Sequence, residues 1–379
     1  MNGPVLFWVQ HLLGSGHLRR IASIARALAA REVEAVVASG GLPIAHLDIG
    51  DAHLVQLPPV RTADVTFSRL VDGDGCPVDE TLLASRRAIL TDLVAETHPS
   101  VVVTETFPFG RRVLHHEAMT LLDAAATLSP APRIVASVRD ILQRTSCPEK
   151  AMTMRDIALA RYDHVLVHGD PGLVRFGDSF PCADDLGERV IHTGYIADTP
   201  RTIAQAGDGA DEVIVSAGGG AVGERLLETA IAAQRHATVT GHLVWRILTG
   251  DRSTAAAVRG AGGGMVVEPN RADFPDLLAR CRVSVSQGGY NTATDLFRAR
   301  ARAVVVPFAE GGETEQSDRA ARLAGRGMIV MLSEAALSPA TLAKAIDRAA
   351  ALPRLDPDTI DLDGAERSAD LLCSWSRNG

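Results

Sequence analysis

The sequence predicts an α/β protein built from two successive Rossmann-like domains. Three observations carry this. Short runs rich in β-branched residues alternate with longer amphipathic runs, the pattern of parallel strands joined by helices. The alternation stops once, in a polar, glycine-bearing stretch after Tyr195, and then restarts. In each half, glycine-rich or polar loops follow apolar runs, at the end of a parallel sheet where ligands gather.

Taken in order, Val5 to Val9 reads as the first strand, and Leu18 to Ala30, with apolar residues at helical spacing, as the helix after it. Glu34 to Ala38, Val101 to Thr104, Arg133 to Val138 and Val165 to His168 read as strands. Glu80 to Thr97, Val113 to Leu128 and Met152 to Ala160 read as helices between them. Pro58 to Asp79, with its prolines, glycines and aspartates, reads as a long loop of the kind that often serves function. Ile196 to Asp211 lacks apolar periodicity and reads as a linker. The pattern restarts with Glu212 to Ser216, the run Gly218-Gly219-Gly220 and a helix from about Glu224 to Gln234. Strands follow near Leu243 to Leu248, Met265 to Val267, Val283 to Ser286 and Ala303 to Val306. The expected domains are therefore 1–196 and 212–379, joined by 197–211, with the last helix placed to pack back on the N-terminal domain.

Composition bounds the function. A chain of 379 residues, 46% hydrophobic and 22% charged, suits two ordinary domains. A net charge of −8 and a pI of about 5.8 argue against nucleic acid and against a generally anionic surface as partners. The five cysteines are widely spaced and form no Cys-x-x-Cys pair, so neither a zinc site nor a disulfide framework is expected. The N-terminus shows no basic n-region, and Val5 to Val9 is too short for a signal peptide or a span; a cytoplasmic location is the expectation.

The stretch Ser286-Gln287-Gly288-Gly289-Tyr290-Asn291-Thr292-Ala293-Thr294-Asp295 reads as strand, tight turn and helix. Two glycines admit close backbone approach, and the unpaired N–H groups of a new helix favour a phosphate. Asn291 and Thr292 add side-chain donors, and Asp295, one turn beyond Thr292, could accept from a ribose hydroxyl. A capped βα turn without a ligand has the same pattern. A second unit follows, with Arg302 to Pro307 leading into Phe308 to Gln316 and another helix. In the first half, Gly14-Ser15-Gly16-His17 opens the helix after the first strand. There His17 reads either as a proton acceptor near neutral pH or as a helix cap. Asp72-Gly73-Asp74 reads as a solvated turn, and His115-His116, adjacent on a helix, point too far apart to share a metal; no metal and no cofactor is expected.

Gly289, Tyr290, Asn291, Thr292 and Asp295 resemble the donor-binding signature of the GT-B glycosyltransferases, with Gln287 where that family usually has histidine. Glu315-Gln316 sits where the family carries an acid-Gln pair on the donor sugar. Gly14 to His17 looks like the Gly-x-Gly-His loop of relatives including the lipid II-forming N-acetylglucosaminyltransferase and a UDP-sugar hydrolase of pseudaminic acid synthesis. Stretches 9–13, 104–112, 137–142 and 167–171 are similar to a group of bacterial predicted glycosyltransferases over nearly the whole chain.

The resemblance implies a GT-B fold, two Rossmann-like domains facing each other across a cleft, with a nucleotide sugar, a UDP-sugar, as donor and a hydroxyl-bearing acceptor. It implies that His17 is the general base, with Glu105 orienting it or binding acceptor hydroxyls and Asp140 next in line. Arg139 would hold an anionic acceptor group or pair with Asp140. Gly218 and Gly219 would face the diphosphate, and the backbone at Asn270 and Arg271 the base. Pro58 to Asp79 would take the acceptor, and Arg111-Arg112 with His115 and His116 would be a solvated helix end or touch a lipid-linked acceptor at a membrane surface. The hydrolase, a UDP-sugar 2-epimerase and a nucleotide-sugar sensor are the rival readings, and Gln287 argues against the epimerase.

Overall fold

The computed structural model describes residues 3–45, 47–63, 69–143, 147–197, 207–217, 223–250, 263–309 and 314–377. The chain divides into two compact units, Met1–Ile196 with Asp363–Gly379, and Ala197–Leu362.

In the first unit a parallel sheet is formed by β1 (Val5–Val9), β2 (Ala35–Ser39), β3 (His53–Gln56), β6 (Val101–Glu105), β7 (Arg133–Arg139), β8 (His164–His168) and β9 (Val190–His192). Its order is β3-β2-β1-β6-β7-β8-β9. The helices are α1 (Gly16–Ala29), α2 (Glu80–Thr97), α3 (His115–Ala126), α4 (Pro148–Arg161) and α10 (Gly364–Arg377). The pleat of β1 explains the layering. Leu6 and Trp8 point into the core made with α2, α3 and α4, while Val5, Phe7 and Val9 point into the core made with α1 and α10. Burying a side chain of this size is worth about 1.5–3 kcal/mol, so a strand with two apolar faces is held from both sides.

Arg86 of α2 ties these layers together. Fully buried, it donates from Nε to Glu117 Oε2 (2.6 Å) on α3, from Nη2 to Gln10 Oε1 (2.7 Å) and from Nη1 to Gly40 O (2.9 Å). Trp8 Nε1 donates to Glu117 Oε1 at 2.9 Å. The last helix docks through its start: Gly364 N donates to Tyr195 O at 3.0 Å. A Cβ at Gly364 would lie 2.4 Å from Gly194 O, so only glycine fits. Arg31, in the turn after α1, then pairs with Glu366 and Asp370 of α10, each at 2.7 Å.

The segment expected as one long loop contains a hairpin, β4 (Val60–Thr62) against β5 (Leu70–Asp72), antiparallel. Val60, Thr62 and Val71 are buried while Arg61 is half-buried, the alternation of a half-covered strand. Prolines and glycines around it masked that short signal. Asp72 closes the following turn, accepting from Asp74 N and Cys76 N.

The second unit carries β10 (Val213–Ser216), β11 (Trp245–Leu248), β12 (Met265–Glu268), β13 (Val283–Ser286), β14 (Ala303–Val305) and β15 (Val330–Met331), in the order β12-β11-β10-β13-β14-β15. Numbered within the sheet this is 3-2-1-4-5-6, the doubly wound order of dinucleotide-binding folds. Its helices are α5 (Glu224–Ala233), α6 (Phe274–Arg280), α7 (Tyr290–Ala299), α8 (Glu315–Gly325) and α9 (Pro339–Ala350). Asp347 of α9 accepts from the backbone N–H groups of Thr238, Val239 and Thr240, closing the turn before β11.

Candidate active site

The first sheet reverses direction of winding between β1 and β6, and a crevice forms outside the carboxyl ends of strands at such a point. Gly14, in the left-handed region at φ +71°, turns the chain out of β1, and α1 begins at Gly16. His17 thus lies in the first turn of α1. Its Nδ1 is 2.8 Å from Oε1 of Glu105, the last residue of β6. Arg20, one turn further along α1, donates to the same oxygen. Strand pairing sets Ser137 of β7 beside Glu105, and its hydroxyl donates to Oε2. Ser137 Oγ lies 2.9 Å from His168 Nε2, whose Nδ1 is 2.8 Å from Thr193 Oγ1. Glu105, Ser137, His168 and Thr193 are fully buried, whereas the His17 side chain keeps 14% of its surface open.

The shortest contact of His17 Nδ1, to Glu105, favours one tautomer over the longer approach of Arg20 Nη2 at 3.1 Å. A carboxylate only accepts, so the His17–Glu105 bond places the hydrogen on Nδ1 and leaves Nε2 as the lone-pair nitrogen. Nε2 has no hydrogen-bond partner among the described residues. Burial first, then the nearby Arg111 and Arg20, hold His17 below its ordinary value against the opposing pull of Glu105. Burial would raise Glu105, but Arg20 and the hydrogen bonds from His17 and Ser137 outweigh it and hold the group below the carboxylate range. At neutral pH the pair is therefore a neutral imidazole on a buried anion. Backbone strain supports it. Thr106, β-branched, sits at φ +74° with Oγ1 3.2 Å from His17 Nδ1, a conformation that costs on the order of 1–3 kcal/mol. A Cβ at Gly110 would meet Thr106 Cγ2 at 2.5 Å, so glycine there is needed to seat the threonine.

Other expected residues take different places. Asp140 is fully buried, accepting from Ile141 N (2.9 Å) and Tyr195 Oη (2.8 Å), so it braces the loop after β7. Arg139, its neighbour, ends β7 half-buried. Ser15 precedes α1 without capping it, and its hydroxyl accepts from Arg19 Nε at 3.1 Å.

The second sheet reverses between β10 and β13, and Gln287, Gly288 and Gly289 leave β13 at that point. Gly289 is the N-cap of α7, and no side chain caps it, which leaves the first N–H groups open to a ligand. Gly288 N donates to Gln316 Oε1 at 3.0 Å, and Phe308 N donates to the same oxygen at 3.2 Å, so Gln316 pins the two loops together. Glu315 lies buried beneath, paired at 2.7 Å with Arg319, which donates to Gly288 O at 2.8 Å and lies 5.7 Å from the Tyr290 ring centre. Asn291, Thr292 and Asp295 are half-buried at the start of α7. An open depression of about 590 Å³ is lined by Gln287 with Gly223, Arg225, Val306, Pro307 and Phe308, among others. Asn270 and Arg271 follow β12, and the Arg271 guanidinium is taken up by Asp273 (2.6 and 2.8 Å) and Asp208 (2.6 Å). Gly218 and Gly219 lie outside the described residues.

Comparison with solved structures covers both units. The glycotransferase of kitacinnamycin superposes with a TM-score of 0.68 at 17% identity, covering 99% of each chain. The glycosyltransferase VinC, solved with dTDP, gives 0.67 at 14% identity, covering 99% of this chain and 100% of its own. The fold is GT-B. Residues 214–358, the GT-B domain that contains α7, match the glycosyltransferase family 28 C-terminal domain. A curated relative from Xanthomonas axonopodis pv. citri (strain 306) is the UDP-N-acetylglucosamine--N-acetylmuramyl-(pentapeptide) pyrophosphoryl-undecaprenol N-acetylglucosamine transferase. It is 27% identical over 240 residues, 61% of this chain and 54% of its own length, so the chain spans about half of that relative. These likenesses concern the fold of the chain and the family of the matched domain.

The cluster around His17 holds residues that the sequence did not single out. Arg20 had a signal, since i and i+3 share a helix face, and His17 lies three residues before it. Ser137, His168 and Thr193 join through strand register, which no local pattern encodes.

Proposed function

We propose that the protein transfers a sugar from a UDP-sugar to an acceptor hydroxyl. His17 Nε2 takes the hydroxyl proton, the freed oxygen forms a bond to the anomeric carbon, and the bond from that carbon to the diphosphate breaks, releasing UDP. Glu105 keeps the imidazole in the required tautomer and stabilises the imidazolium as it forms. The N-terminal end of α7, with the Asn291 and Thr292 side chains, receives the diphosphate charge as it develops. Asp295 accepts from the ribose, the backbone at Asn270 and Arg271 contacts the base, and the free amide N–H groups of Gln316 serve the donor sugar.

The single observation that carries this reading is the His17–Glu105 pair, 2.8 Å apart, where the first sheet changes winding. The Xanthomonas relative, named for transfer from UDP-N-acetylglucosamine, supports uridine as the base. The test is a panel of UDP-, dTDP-, GDP- and ADP-sugars incubated with the protein, with and without cell extract as acceptor source, and chromatography of the released nucleotide. UDP release that rises with extract is expected. No release from any donor, or release that extract leaves unchanged, contradicts transfer.

A further inference from the structure

Behind the His17–Glu105 pair, three side chains run in a line towards the edge of the first sheet. Glu105 ends β6, Ser137 lies in β7, His168 ends β8 and Thr193 follows β9, so the line crosses four neighbouring strands. All four side chains are fully buried. Ser137 Oγ meets Glu105 Oε2 on one side and His168 Nε2, at 2.9 Å, on the other, and His168 Nδ1 meets Thr193 Oγ1 at 2.8 Å.

The line has a direction. Burial, and after it Arg20, holds His168 below its ordinary value against the pull of Glu105, so its ring carries one proton and one lone pair. Ser137 has a single hydroxyl proton, and the Glu105 anion only accepts, so that proton belongs on Oε2. The opposite arrangement would set a buried carboxylate oxygen against a hydroxyl lone pair, a hydrogen bond to a charge left unmade. Ser137 Oγ therefore accepts from His168, whose proton is on Nε2. His168 Nδ1 keeps the lone pair and takes the Thr193 hydroxyl proton, for which it is a closer partner than Gly194 O at 3.1 Å.

We infer that Thr193, His168 and Ser137 form a one-way hydrogen-bond chain feeding Glu105 Oε2, and that they are positioning residues for His17. The role given to His17 rests on the transfer reading, whereas the direction of the chain does not. With Oε2 held from β7, the carboxylate plane is set and Oε1 is turned to His17 Nδ1 and Arg20. The donor on Oε2 also takes up part of the negative charge that would otherwise pull on the His17 Nδ1 proton. Hydrogen bonds in series polarise one another, so a change at Thr193 is felt at His17 across the sheet.

The experiment needs neither nucleotide nor turnover. The full chain is labelled with ¹⁵N-histidine, and the ring protons and nitrogens of His17 and His168 are read by NMR at neutral pH. Each is identified by its loss in His17→Gln or His168→Gln. His168 is expected with its proton on Nε2 and His17 with its proton on Nδ1, opposite tautomers in one spectrum. Ser137→Ala removes a donor from Glu105 and should move the His17 Nδ1 proton downfield, because the carboxylate accepts more strongly from the donors it keeps. Ser137→Thr, which restores a hydroxyl, should bring the resonance back. Should Ser137→Ala fail to fold, Thr193→Val, isosteric and beyond another strand, reads the chain by the same downfield movement. A proton on His168 Nδ1, or a His17 proton that no folded variant moves, overturns the inference. A His17 proton on Nε2 beside the expected His168 would contradict the base assignment, and with it the positioning role, while the direction of the chain stood.

Discussion

In the proposed reaction His17 acts as a base only while Glu105 holds its Nδ1 proton, so the pair should fail as a unit. Glu105→Gln keeps the shape but allows the other tautomer, and turnover should drop on the order of 10²–10⁴-fold with donor KM little changed. Steady-state kinetics checks this, and a rate within a few-fold of wild type would remove Glu105 from the mechanism. His168 makes a separate claim about stability. It is fully buried and neutral, held below its ordinary value by burial first and by Arg20. The unfolded chain binds a proton near pH 6.5 that the folded chain refuses, so stability falls as pH drops below about 6.5. His168→Gln should make that fall shallower by up to one proton, about 1.4 kcal/mol per pH unit, in urea melts between pH 6.5 and 5. An unchanged slope would mean His168 is charged in the folded protein. At this scale the sequence was legible where chemistry and position coincide. His17 follows a Gly-Ser-Gly turn, and Glu105 ends an apolar run. It was not legible at Arg111, whose Nε reaches back to Gln10 O across two loops.

Among the elements, the long apolar runs were legible because β1, β6, β7 and β8 are buried on both faces and leave nothing ambiguous. Short or half-covered pieces escaped. β3 is largely exposed and β9 has three half-buried residues, so neither shows a run. β4 and β5 are three residues each, inside a segment whose prolines and glycines read as loop. The weight of the layer beneath the site falls on Arg86, which joins α2 to α3 and to the ends of β1 and β2. Glu117→Ala leaves that guanidinium buried without its carboxylate and should cost about 3–5 kcal/mol in denaturant melts. Glu117→Gln, which keeps an acceptor, should cost less. A loss under about 1 kcal/mol for the alanine variant would show that water or neighbouring carbonyls already satisfy Arg86.

Across the whole molecule, the doubling of βα units was legible, since the pattern stops and restarts around the polar stretch after Tyr195. The sheet orders were not, because strand neighbours across a switch point are set by long-range packing rather than by local sequence. Those orders matter most, for they bring the loops after β1 and β6 together in one domain and place α7 at the reversal of the other. In the proposed reaction each domain has a separate task, donor binding on the second and proton removal on the first. UDP at 100 times its Kd should stabilise the native protein by about 2.7 kcal/mol, read as a rise in Tm that GDP and ADP do not match. The most direct test of the account is one variant measured twice. In His17→Ala, calorimetry should find UDP affinity within a few-fold of wild type while turnover of the UDP-sugar falls on the order of 10²–10⁴-fold. Turnover near wild type, or UDP affinity lost together with turnover, would contradict the assignment of His17 as the base.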